Sequence, residues 1–151
     1  MTDSATVVSR ALKRLHGLFQ ERLADPQALS FRPGDGWNST GVLIKHVLLS
    51  EQRMLAQRFG GRTVRETGHD QQFSEEGTDP ESLRRLLDET DALSTSVLES
   101  ATDAFWNAPS QDFQGNPIVA GDWAWRAMTH GYHHEGQMAV LDRLRKERAA
   151  V

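Results

Sequence analysis

Apolar residues recur three and four positions apart along most of this chain, the period of a helix that buries one face and wets the other. The first block sets Val8, Ala11, Leu12, Leu15, Leu18, Phe19 and Leu23 at that spacing, with Arg and Lys between them. It predicts a helix opened by Ser4 as N-cap, running to about Ala24 and ended by Asp25-Pro26. After the turn signal Pro33-Gly34-Asp35-Gly36, Asn38 or Ser39 is placed to cap a second helix running to about Phe59, with Val42, Leu43, Val47, Leu49, Met54 and Leu55 on its apolar stripe. Thr78-Asp79-Pro80-Glu81 is a third start signal, followed by Leu83, Leu86, Leu87, Leu93, Val97, Leu98 and Ala101 to about Phe105. Asp122 is the expected cap of a fourth helix reaching about Arg145, with Trp123, Ala127, His130, Gly131, His134, Met138 and Leu141 facing inward.

Four such helices predict an all-α, four-helix-bundle fold. Two long connections interrupt it. Residues 60–78 are polar and glycine-containing, with room for a short helical turn, and residues 106–121 leave room for a short extended piece around Asp112–Ile118. These lengths leave open an order of helices other than simple up-down-up-down. Gly131 and Gly136 lie inside the fourth helix, where each costs up to about 1 kcal/mol relative to alanine, so a neighbouring helix or a ligand is expected close to the backbone.

At 151 residues the chain reads as one domain, 1–151, with enough sequence for a filled core. Its net charge of −4 supplies no basic footprint for nucleic acid. No apolar run approaches the roughly 20 residues of a membrane span, and Met1–Arg10 lacks the pattern of a secretory signal. The absence of cysteine excludes disulfides, thiolate ligands and a cysteine nucleophile, and is compatible with a cytoplasmic location. Any metal must therefore be held by imidazole and carboxylate.

Three of the six histidines fall in His130-Gly131-Tyr132-His133-His134-Glu135-Gly136-Gln137. On a helix His130 and His134 stack one turn apart, about 5–6 Å between Cβ atoms, close enough to chelate one ion. They lie on the apolar face, where two unpartnered imidazoles would be expensive, and Gln137 is within reach to orient one. His46 offers a third imidazole from the inward side of the second helix. Three neutral imidazoles with one position open form a catalytic-type zinc set, although the same donors suit nickel, copper or iron. His133 is the alternative partner of His130 at three-residue spacing, but its face carries Arg126 and Thr129, which places it beside the site. Packed or surface histidines are the competing reading. His16, on the flank of the first helix, is read as a surface or partly packed histidine, and His69 as a solvated one.

The segment Trp37-Asn38-Ser39-Thr40-Gly41-Val42-Leu43-Ile44-Lys45-His46, continued by Ser50-Glu51, resembles the second helix of the DinB-like (YfiT-like) metalloprotein superfamily. The His130–Gln137 stretch resembles the closing His-x-x-x-His-x-Gly-Gln motif of the same superfamily. In order and separation the likeness covers nearly the whole chain. It implies a bundle in which His46, His130 and His134 bind one divalent metal, commonly zinc or nickel, with water completing the shell, and it implies a homodimer. Branches of the superfamily include metal-dependent transferases and isomerases using low-molecular-weight thiols such as bacillithiol or mycothiol. The Gln111–Val119 connection matches no branch.

Three functions stay open at this point. A metal with a free position can hold an incoming thiol as thiolate for transfer to a small-molecule electrophile. A metal-dependent hydrolase needs a nearby general base, and Gly131 stands where His-Glu-x-x-His proteases carry glutamate. Glu135 is turned about 100° from His134 around the helix, and Glu51 is similarly off the His46 face. The third reading is a metal-binding or stress-response bundle without turnover. Arg53, two turns from His46, is a candidate anchor for a carboxylate, and Tyr132 a candidate proton donor at the cleft mouth. No side chain is assigned as catalytic.

Overall fold

The computed structural model describes residues 1–150. Helix α1 (Asp3–Leu23) begins two positions earlier than its sequence signal, because Thr2 rather than Ser4 is the cap: its hydroxyl accepts from the Ala5 N–H. A short α2 (Pro26–Ser30), capped by Asp25, occupies part of the expected loop. Ser39 caps α3 (Thr40–Glu51), accepting from the Val42 N–H at 3.3 Å. The helix continues without a break as a π-helical stretch, Gln52–Phe59. Then come α4 (His69–Gln72), α5 (Pro80–Ser100) capped by Asp79, α6 (Asp103–Trp106), the antiparallel hairpin β1 (Pro109–Gln111) and β2 (Pro117–Val119), and α7 (Gly121–Ala149).

Further boundaries differ from the sequence reading, and α7 runs past Arg145 to Ala149. Helix α5 stops at Ser100, and residues up to Phe105 belong to the separate α6 capped by Thr102. The extended residues flank 112–116 instead of occupying it, since Asp112 Oδ1 accepts from the backbone N–H of Gln114 and Asn116 and closes the hairpin turn. Asp122 lies inside α7 and reaches back to accept from the Val119 N–H, so α7 starts on the hairpin without a side-chain cap.

The long helices α1, α3 with its π-helical extension, α5 and α7 form the bundle around Leu12, Leu15, Phe19, Ile44, Leu48, Leu55, Leu83, Leu98, Trp123 and Met138, all at most 2% exposed. α1 and α3 each pack against α5 and α7, so α1 stands diagonally from α3, and α5 from α7. Contacts fix their directions. Along α1 and α7, Tyr132 meets Ala11 and Arg145 meets Asp25, which makes these helices parallel. Along α3 and α5, Lys45 lies with Ser82, and Gly60 with Val97, again parallel. α3 and α7 run antiparallel, with Leu43 near Leu141, Val47 near Gly131 and Arg58 near Trp123.

Parallel α3 and α5 require the chain to return the length of the bundle between them, which is the job of a long crossover. Residues 60–79 do this by running back along α3. The buried Lys45 ammonium donates to the carbonyls of Ser74 and Glu76 at 2.6 and 2.8 Å, and the Ser39 hydroxyl donates to Glu75. The short helical turn expected there is α4. Gly131 admits the close approach foreseen at that position: a Cβ would fall 2.4 Å from Leu15 Cδ2. Gly136 does not, with nothing within 4 Å, so its helix cost has no packing reason.

Candidate metal centre

His46 on α3 faces His130 and His134 on α7, about midway along both helices. The Nε2 atom of His130 is 3.1 Å from Nε2 of His46 and 3.2 Å from Nε2 of His134. One nitrogen of each ring thus lies within 4.8 Å of the other two, the only such grouping of His, Asp or Glu found among the described residues. The other side of two rings is held by amides. His46 Nδ1–H donates to Gln72 Oε1 at 3.0 Å, and His134 Nδ1–H donates to Gln137 Oε1 at 2.6 Å. That tautomer turns the Nε2 lone pairs of both His46 and His134 toward His130.

A neutral His130 can place at most one proton between itself and two lone pairs. At least one contact is then lone pair against lone pair, which a shared cation resolves. Nitrogen ligands about 2.05 Å from a tetrahedral ion stand about 3.3 Å apart, close to the two observed separations. The donor set fits a divalent ion of the zinc or nickel kind. His130 departs from the usual pattern in one respect: its Nδ1 is buried with no hydrogen-bond partner among the described residues.

Burial, followed by the neighbouring imidazoles, pushes His46 and His130 down to about 4. Burial also lowers His134, with Gln137 opposing. All three rings are therefore neutral at pH 7, the form that ligates.

The returning crossover completes the surroundings. It brings Gln72, whose amide N–H groups donate to the Thr67 carbonyl and hydroxyl. It also brings Phe73, stacked on His46 with centroids 4.2 Å apart. Neither residue was legible in the sequence, because 60–78 has no period to aim a side chain; the length of that connection was the only hint.

The other expected residues are dispersed. His133 is exposed, its ring 5.1 Å from that of His134. Arg53 is exposed and lays its guanidinium 4.7 Å over Phe113, at the tip of the hairpin. Tyr132 turns to α1, where its hydroxyl donates to the Ala11 carbonyl at 3.0 Å, so that proton is already committed. Glu135 pairs with Arg22 at 2.6 Å. His69 is solvated as expected, with its ring on Phe73.

His16 is the largest correction. It is 4% exposed and bridges two carboxylates, with Nε2 3.0 Å from Glu51 and Nδ1 2.9 Å from Asp91. Ser94 donates to the other oxygen of Glu51. Helical spacing alone had placed His16 on the flank of α1, but the diagonal arrangement turns that flank toward α3.

A bundle with two parallel and two antiparallel neighbours, a long crossover and three convergent imidazoles defines a class of histidine-centred helical proteins. The chain belongs to the DinB superfamily, whose model matches residues 7–138. A DinB-like protein from Bacillus cereus has the same fold at 19% identity and TM-score 0.72, covering 92% of this chain and 91% of that one. A DinB-like protein from Bacillus subtilis follows at 20% identity and TM-score 0.65, covering 94% and 92%. A mycothiol-dependent maleylpyruvate isomerase is similar at 16% identity and TM-score 0.61, covering 89% of this chain and 62% of its own. No curated protein sequence matches this chain significantly. No helix among the described residues is long and apolar enough to cross a membrane.

Proposed function

We propose that this protein is a metal-dependent transferase that uses a low-molecular-weight thiol of the bacillithiol or mycothiol type, and that it works as a homodimer. His46, His130 and His134 hold the ion, zinc or nickel. The observation that carries this reading is the convergence of three neutral Nε2 atoms, two of them aimed by Gln72 and Gln137. A divalent ion held by His46, His130 and His134 would supply a Lewis acid able to lower the pKa of an incoming thiol.

The chain's own residues bind and orient. Gln72 and Gln137 fix the tautomer and ring angle of two ligands. Phe73 covers one face of His46 and keeps water from it. Arg53, Arg58 and Arg126 cluster over Phe113 and Trp123, at the end of the α3–α7 groove that the hairpin closes. An anionic group of the thiol would face that end. His133 stands at the rim. Hydrolysis is the weaker reading, because both carboxylates adjacent to the site in sequence are engaged elsewhere, Glu51 with His16 and Glu135 with Arg22.

The test is to assay the metal-replete protein with a panel of thiols and a chlorinated nitroaromatic, following chloride release and thioether formation. Turnover with a low-molecular-weight thiol is expected. Stoichiometric metal with no turnover for any thiol would leave a binding or stress-response bundle.

A further inference from the structure

Because α3 and α7 are antiparallel, the groove between them leaves the three histidines in opposite directions with different chemistry. Toward the hairpin it is cationic and aromatic. Toward the other end Leu43 stands one turn before His46, and Gln137 and Leu141 stand one and two turns after His134. At that end of the two helices lies a cavity of about 420 Å³, lined by Trp37, Asn38, Leu43, Gln137, Val140 and Leu141, which meets the histidines through Gln137. Its floor is buried, with Leu43 and Leu141 at most 5% exposed, whereas its rim leaves Trp37 48% and Val140 51% exposed.

We propose that this cavity is the subsite for an apolar, ring-sized group of the substrate, which under the transferase reading above is the electrophile that accepts the thiol. Three observations converge. The volume is that of a small-molecule pocket, where apolar walls carry a few placed polar groups. Gln137 belongs to both places, lining the cavity while accepting from His134 Nδ1. The polar groups available to a ligand are the Asn38 and Gln137 amides, with no charged side chain in the lining, so the cavity selects a neutral group. The arginines at the opposite end leave the anionic part of a reaction partner to be held there. A ring entering beside Trp37 stacks or packs edge-on against its indole.

The proposal is tested by titrating 2-naphthol, an unreactive ring-sized probe, into the metal-free full-length protein. The indole N–H resonance of Trp37, assigned with Trp37→Phe, and the ring resonances of His134 are followed. Saturable shifts of both are expected, with affinity falling on the order of tenfold in Val140→Asp, which places a charge at the rim of the apolar surface. Val140 is exposed, so that variant folds; Val140→Ser gives a milder second point. Shifts confined to other tryptophans, or unchanged affinity in both variants, would overturn the subsite. So would sedimentation showing a dimer that Val140→Asp dissociates, since a second copy would then cover the rim. Thiol turnover is measured separately. Naphthol binding without turnover removes the transferase reading and keeps the pocket, and turnover without naphthol binding does the reverse.

Discussion

The bundle contains two histidine sites, one half-buried and one buried, that resolve the same problem in opposite ways. His46, His130 and His134 have no carboxylate beside them; burial and one another hold them neutral, with His46 and His130 near 4. His16 is removed from water still further, at 4% exposed, and burial likewise opposes its charge. The hydrogen bonds and charges of Glu51 and then Asp91 outweigh this and raise it above its ordinary value. A histidine offered carboxylates holds its proton more tightly and cross-links helices, whereas one offered amides keeps a lone pair and can ligate. The partner, not the burial, decides what the ring does.

This contrast is broken most sharply by His130→Ala. Removing the shared centre of the three rings should reduce bound zinc from stoichiometric to near zero in elemental analysis, whereas His16→Gln should leave metal content unchanged. Equal metal in wild type and His130→Ala would sink the assignment.

Next in size is Glu51→Ala. It strips the 1%-exposed partner from a buried ion pair, and the expected loss is about 3–5 kcal/mol in urea unfolding. The double variant His16→Met/Glu51→Met should recover much of it, because no unpaired charge remains. A double variant as unstable as the single one would show that the pair is not what holds α1 to α3.

Smaller is the effect of the amides. Gln72→Leu and Gln137→Leu should each weaken zinc about 10–100-fold by freeing an imidazole to rotate, with the fold intact. A competition titration against a chromophoric chelator reads this directly. Unchanged affinity in both would mean the rings are positioned by packing alone.

The smallest effect separates the clusters by pH in the metal-free protein. His16 binds its proton more tightly folded than unfolded, so its contribution is fully present below about pH 6.5 and is lost as pH rises through its raised folded value. His46 and His130 bind protons less tightly folded. Their contribution is present above about 6.5 and is lost as pH falls toward about 4. Urea midpoints across pH 4–9 should therefore fall on both sides. His16→Gln should flatten the alkaline side and His46→Gln the acid side. Both variants flattening the same side would contradict the opposite shifts.

Much of this was legible from letters. The apolar period marked all four long helices, and caps such as Ser39 and Asp79 form where their side chains can reach a free N–H. The four-residue interval of His130 and His134 is a local property of one helix, so their shared face followed at once. The lost predictions have one cause. Ser4, Asp122 and the end of α5 depended on a neighbour's backbone taking or leaving a hydrogen bond, while Tyr132 and His16 depended on which helix stands opposite.

By itself, the sequence determined that this chain makes long amphipathic helices, that two imidazoles share a face of the last one, and that no thiol is available. Those are consequences of intervals within single elements. Only the tertiary structure decided that α1 and α3 stand diagonally, which buries His16 against Glu51. Only it decided that the 60–79 crossover returns along α3 and sets Gln72 and Phe73 against His46. Only it decided that the α3–α7 groove runs from arginines at one end to Trp37 and Val140 at the other. The direction of one helix relative to another is carried by contacts between residues far apart in the chain, and no interval within either helix encodes it.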